Sequence, residues 1–291
     1  MKITFHIGAH RTDDDRLMRS LMRNNQKLAD EGIFIPGPSK FRAVLREVST
    51  RLRGEVANPE TMDLVLDTIL DSTEARHIVL SYEAFICASG KILSDGGYYA
   101  KAGPKSAWLR NVFPGHQVAF ALGLRNPATQ IPAVFAAVQD ISFAAFLHGV
   151  DPRTARWSDA VQGIVTHNPG CPVIVWCNED TPLIWPEVMR EVSGHRPETR
   201  LKGGFDILGQ IMEAEGMRRL RAYLASHPPQ NEMQRRKILG AFLDKYAKDE
   251  EIEEVVDAPG WTEDLVEEMT EDYEDDIQRV QAIPGVTFLA A

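Results

Sequence analysis

The chain is 291 residues long, 44% hydrophobic and 25% charged, which leaves room for one large domain or two modest ones and places it among soluble globular proteins. Its formal charge of −10 is unevenly spread: of 42 acidic residues, 15 lie between Asp249 and Asp276 with no Lys or Arg among them, leaving 27 acidic against 32 basic groups elsewhere. So small a basic excess permits a small anionic ligand and gives no support for a nucleic-acid partner, which needs a concentrated basic face.

Taken in chain order, Ile3, Phe5 and Ile7 alternate into a first strand, the loop Gly8 to Asp15 follows, and a helical pattern starts at Arg16 with Leu17, Leu21, Asn24 and Leu28 on one face. Met62 to Leu70 continues as helix, Ile78 to Ser81 and Val118 to Leu124 as strands, Ile131 to Phe146 as helix, and Val173 to Cys177 as strand. Strands separated by helices predict an α/β fold, a parallel sheet flanked by helices. Ligands in such sheets sit beyond the carboxyl ends of the strands.

After Pro186 the pattern turns to helices and turns, broken at Gly203-Gly204 and at His227-Pro228-Pro229. Residues 187–282 are therefore read as a mostly helical C-terminal part of a single domain, 1–291. Within it Leu265, Met269, Tyr273 and Ile277 recur at helical spacing, so the acidic run is the solvated face of a packed amphipathic helix. A small last strand, Val286 to Leu289, follows the turn Ile283-Pro284-Gly285. Cys87, Cys171 and Cys177 form neither a CxxC pair nor an even disulfide set, the N-terminus lacks a signal-peptide apolar core, and no apolar run approaches the roughly 20 residues of a membrane span. A reduced, cytoplasmic location without a membrane partner is the expectation.

A strand, a tight loop and a helix start commonly build an anion site, because unpaired backbone N–H groups and the helix dipole favour negative charge. Here Gly8-Ala9-His10-Arg11-Thr12 runs into Asp13-Asp14-Asp15, three carboxylates in that place. The second Gly and the Lys of the nucleoside-triphosphate loop GxxxxGK[ST] are missing. Asp is among the best N-caps, and acids in a first turn complement the dipole by about 0.3–1 kcal/mol each, so Asp13 to Asp15 read as caps filling an emptied anion site. A divalent cation held with His6 or His10, or carboxylates turned out to solvent, are the alternatives.

Other polar residues carry two readings each. His10 could move a substrate proton, its ordinary pKa lying near neutrality, or be a polar loop residue. His6, inside the alternating strand, reads as structural. Glu83 is the most reasonable general base, or else a strand-end hydrogen-bond acceptor. Trp157, Trp176 and Trp185 could line an apolar acceptor pocket, although Trp176 falls in a strand and reads as core. Cys177 reads as an inert buried thiol, and no metal centre is assigned.

The opening resembles the sulfotransferase superfamily, whose first strand leads into a loop of the type H-I-G-x-x-K-T-G-T-T and then a helix. The matches are His6-Ile7-Gly8, Arg11 in the Lys place, and Thr12. Asn24, Leu28 and Gly32-Ile33-Phe34-Ile35-Pro36 are similar to the family's N-x(3)-L-x(3)-G-I-x-x-P, and Val79-Leu80-Ser81-Tyr82-Glu83 to its strand ending in Ser-x-Glu. Leu124-Arg125-Asn126-Pro127 resembles the 3′-phosphate segment, Asn178-Glu179-Asp180 the acidic strand end, and Tyr273, Asp276 and Ile283-Pro284-Gly285-Val286 the tail of bacterial members.

The resemblance implies a P-loop-like fold and sulfuryl transfer from 3′-phosphoadenosine 5′-phosphosulfate to the hydroxyl or amine of a small-molecule or glycan-like acceptor. Gly8, Arg11 and Thr12 would then hold the 5′ side of the co-substrate and Arg125 its 3′-phosphate, with Glu83 or His10 taking the acceptor proton and Arg11 at the transferring group. Two departures bear on this. Where the family has Gly-Thr-Thr the chain has Asp13-Asp14-Asp15, replacing hydroxyl donors with acceptors. A carboxylate about 4 Å from a phosphate costs on the order of a few kcal/mol, two or more orders of magnitude in affinity. The family's Ser eight residues after the Arg is Ala133 here. Two rival readings follow: a non-catalytic binding or regulatory relative, and a metal-dependent phosphoryl-transfer enzyme using His6, His10 and the Asp cluster.

Overall fold

The computed structural model describes residues 1–71, 74–252 and 258–291. Its strands are β1 (Lys2–His6), β2 (Ile33–Phe34), β3 (His77–Ser81), β4 (Gln117–Leu124), β5 (Val173–Cys177) and β6 (Val286–Leu289). They form one sheet in the order β2-β3-β1-β4-β5-β6, parallel throughout. The α/β expectation holds, and the apolar runs fall on strands. The additional strand, β2, is only two residues long and too short to show a period of two.

Alternation along the strands feeds two cores, because successive side chains point to opposite faces. Ile3, Phe5 and Ile7 join Ile78, Leu80, Val118 and Phe120 on one face. Val79, Ala121, Ile174 and Trp176 enter the other, against Leu17 and Leu21 of helix Arg16–Met22 and Ile184, Trp185 and Val188 of helix Thr181–Ser193. With both faces covered, the strands read as nearly continuous apolar runs.

Two expected helices are divided. The Arg16 pattern forms Arg16–Met22 and Asn25–Ala29. At the break Asn24 is buried, donating to the carbonyls of Ser20 (2.8 Å) and Lys202 (2.9 Å) and accepting the Lys202 N–H (2.8 Å). The stretch Ile131 to Phe146 is two helices, Pro127–Ala136 and Phe143–Phe146. Apolar spacing alone does not reveal the polar interruption around Gln139-Asp140 between them.

In the C-terminal part, Leu208, Met217, Leu220 and Leu239 make a separate small core. It is fastened to helix Thr181–Ser193 by Glu187, whose carboxylate accepts from Arg235 (2.9 Å) and Arg236 (3.3 Å). Helix Glu263–Gln281 buries Leu265, Met269, Tyr273 and Ile277 as the spacing predicts; residues 253–257 of the acidic run lie outside the described residues. The same helix buries Asp276, which accepts the Ser158 N–H (3.0 Å) in the first turn of helix Trp157–His167, where Arg156 provides no side-chain cap. No helix among the described residues is long and apolar enough to cross a membrane.

Candidate functional site

β1 lies between β3 and β4. The chain leaves β1 toward β2 at one edge and leaves β4 toward β5 on the opposite side, so the two connections diverge at neighbouring strand ends, the crevice where open parallel sheets bind ligands. The loop after β1 sits there. Ile7 N–H donates to the Ala121 carbonyl (2.9 Å), Gly123 N–H to that of Gly8 (3.0 Å) and Ala9 N–H to that of Gly123 (3.2 Å), which ties the loop along β4. Gly8 has φ +110°, and a Cβ there would lie 3.1 Å from the Glu83 carbonyl oxygen. Glycine alone meets both requirements without strain. Beyond the loop opens a cleft of about 500 Å³, bordered by Arg11, Thr12, Asp14, Arg125, Glu179 and Trp185.

Asp13 fills the helix start. Its carbonyl accepts from Arg16 N–H (2.8 Å) and its carboxylate from Leu17 N–H (2.7 Å). The cap reading therefore holds for Asp13 and not for its neighbours. Asp14 lies 4.0 Å from the Arg11 guanidinium and 3.8 Å from that of Arg16, while Asp15 pairs with Arg42. Thr12 spends its hydroxyl on the Ala9 carbonyl (2.7 Å). Arg11, Asp14 and Asp15 all adopt left-handed φ values, so the loop turns too tightly for the three carboxylates to share one environment.

Arg125 reaches the same cleft and donates to the carbonyl of Arg11 and to Thr129 Oγ1 (3.3 Å). Ala133 lines the cleft with a methyl group. Behind Arg125, Asn126 caps helix Pro127–Ala136 by accepting the Ala128 N–H (2.9 Å), and Trp157 Nε1 donates to the Arg125 carbonyl (2.8 Å). Glu179 accepts from Asn126 N–H (2.8 Å) and from the Tyr273 hydroxyl (3.1 Å). Burial pushes its carboxyl up, against the pull of these donors and of Arg125. The cleft thus depends on a clasp between Glu179 and Tyr273, 94 residues apart, a pairing that local sequence spacing does not carry.

Glu83 opens a short 3-10 turn after β3 and approaches the loop from behind. Burial raises its pKa and Asp14, Asp15 and Asp13 raise it further, while a hydrogen bond from the Arg11 backbone N–H opposes them. His10 departs from both of its readings, since it is 1% exposed and stands neither in the solvent nor at the cleft. Its Nδ1 contacts the Tyr99 hydroxyl (2.9 Å) and its carbonyl accepts from Gln130 (2.6 Å); burial pushes the imidazole down to about 4. A loop position suggests exposure, but the segment 98–99 covers this one with Tyr99. His6 is structural, its Nδ1 on Ser81 Oγ (2.8 Å) and its ring stacked on Trp176.

The structure therefore gathers Gly8, Arg11, Thr12 and Arg125 at one switch point, sets Glu83 against the back of the loop and removes His10. Trp157, Trp176 and Trp185 are all core, with Trp185 alone of the three bordering the cleft. Burial pushes the Cys177 thiol up to about 12, in keeping with an inert group. Among the described residues no group of three or more His, Cys, Asp or Glu is placed to hold a metal ion. No family model, no curated protein and no solved structure matches the chain.

Proposed function

We propose that the chain is a sulfotransferase-like protein that binds a small polar or glycan-like molecule in the β1–β4 cleft without transferring a sulfuryl group. The observation that carries this reading is the Asp13 carboxylate on the Leu17 N–H. The protein's own anion occupies the donor that a phosphosulfate would need. The residues present do not fit that group: Thr12 is turned onto Ala9, Asp14 borders the cleft, and Arg125 is drawn to the Arg11 carbonyl. Arg11, Arg16 and Arg125 face Asp13, Asp14, Glu179 and Glu251 around the cleft. Such a mixed lining suits an uncharged hydrogen-bonding ligand better than a polyanion.

A second reading, retained transfer, is favoured by Glu83, a carboxyl pushed up at the back of the loop as a general base requires. Calorimetric titration with adenosine 3′,5′-bisphosphate, with and without Mg²⁺, separates the two. The non-catalytic reading expects no heat of binding in either condition. Micromolar binding without metal would overturn it and return the chain to the transferases.

A further inference from the structure

Away from the cleft, a cavity of about 280 Å³ lies between helix Pro38–Leu52, the segment 82–88 that follows β3, and helix Ala102–Asn111. Its charged lining is entirely cationic, Arg42, Arg46 and Lys105, with the hydroxyls of Ser49 and Thr50 beside them and an apolar wall that includes Phe85 and Leu109. Arg42 and Arg46 stand one turn apart on one helix, and Lys105 faces them from the other, its ammonium 3.5 Å above the Trp108 ring. Gly54 makes room for that indole: a Cβ there would sit 2.6 Å from Trp108 Nε1.

Arg42 is committed to Asp15 and to the Ser81 carbonyl. Arg46 and Lys105 have no carboxylate partner among the described residues. Burial and the neighbouring Lys101 hold the Lys105 ammonium below its usual value. Two cations facing one hollow without a counter-charge, beside a third that is already paired, repel one another, and an anion entering it relieves that repulsion. The volume falls just below the usual range of ligand pockets, about 300–1,000 Å³, and so suits a compact ligand.

We propose that this cavity binds a small phosphomonoester with a compact apolar body, the phosphate between Arg46 and Lys105 and the body on Phe85 and Leu109. Arg46 supplies a planar fork suited to phosphate oxygens and Lys105 a point charge opposite it.

The test is calorimetric titration of the full chain with phenyl phosphate, and with inorganic phosphate and phenol as its separate halves. Phenyl phosphate is expected to saturate with a sub-millimolar Kd, each half binding at least about tenfold more weakly. Arg46→Ala and Lys105→Gln should each weaken phenyl phosphate by about tenfold or more. Arg125→Ala, in the other cleft, should leave its affinity unchanged. Because Arg46 is exposed, its replacement leaves the core intact, and circular dichroism of each variant checks the fold. Absence of saturation, unchanged affinity in both Arg46→Ala and Lys105→Gln, or loss of binding in Arg125→Ala would each overturn the proposal.

Discussion

Replacing Asp13 tests whether the loop is held by a hydrogen-bonding cap or merely carries surplus charge. In Asp13→Ala the Leu17 N–H, now bound at 2.7 Å by a carboxylate that is 8% exposed, loses its acceptor. Loss of such a cap costs about 1–2 kcal/mol. The same change removes one of the carboxylates that push Glu83 up. Asp14 and Asp15 stay, both more than a third exposed and screened, so the relief is no more than about 0.5 kcal/mol. The net loss is about 1 kcal/mol, a fall in Tm of about 1–2 °C for a domain of 291 residues. Asp13→Asn keeps an acceptor for Leu17 and drops the charge, so we predict stability equal to or slightly above the parent's. Thermal unfolding followed by circular dichroism at low and high salt ranks the three proteins. If Asn is as damaging as Ala, the carboxylate acts through its charge and the cap argument fails; if Ala is neutral, the hydrogen bond contributes nothing.

Gly8→Ala places a Cβ at φ +110° and 3.1 Å from the Glu83 carbonyl, and a loss of about 1–3 kcal/mol is predicted; a urea midpoint equal to the parent's would contradict it. Glu187→Ala takes the buried carboxylate away from Arg235, whose side chain is only 12% exposed and which keeps only the exposed Glu232 (2.6 Å), for a predicted loss of about 1.5–3 kcal/mol in chemical unfolding, and an effect below about 1 kcal/mol would mean that the buried ion pair is dispensable. His10 and His77 are both held near 4 by burial, with Lys2 also lowering His77, so folding favours their neutral forms. That stability is complete above the ordinary histidine value of about 6.5 and is lost as pH falls toward 4, by about 3 kcal/mol for each. The raised carboxyls of Glu83 and Glu179 act in the opposite direction, destabilising at neutral pH and relieved on acidification, so they offset part of the loss. A urea midpoint that is flat from pH 7 to 5 would refute the histidine assignment.

What could be read from the sequence follows from the range of the forces involved. Strand runs such as Val173 to Cys177 and Val286 to Leu289 show themselves because both faces of the sheet are buried and the apolar residues are contiguous. The convergence of Arg11 and Arg125 follows from parallel topology, since residues at the carboxyl ends of adjacent strands share a crevice. The capping role of Asp13 was legible, whereas those of Asp14 and Asp15 were not, because their left-handed backbone goes with carboxylates beside Arg11, Arg16 and Arg42 rather than on a helix N–H. The burial of His10 depends on Tyr99, 89 residues away, and the cationic cavity on two helices that meet only in the folded chain.

Arg42 links the cationic cavity, which it lines, to the loop after β1. Its guanidinium pairs with Asp15 of the loop, donates to the Ser81 carbonyl at the end of β3, and lies 4.5 Å above the Tyr82 ring on the cationic side. Glu83, next along the chain from Tyr82, accepts the Arg11 N–H of the loop. Arg46 and Lys105 of the cavity have no carboxylate partner among the described residues, whereas the cleft mixes both signs of charge and three carboxylates gather on its loop. A transferase would require the reverse at the loop, with positive groups and N–H donors meeting an incoming phosphate. With Asp13 on Leu17 and Asp15 on Arg42, two of the three loop carboxylates are bound to internal donors. Undoing that arrangement costs both interactions before any external anion gains one, and this internal competition weighs more heavily against donor binding than the net charge of −10 does.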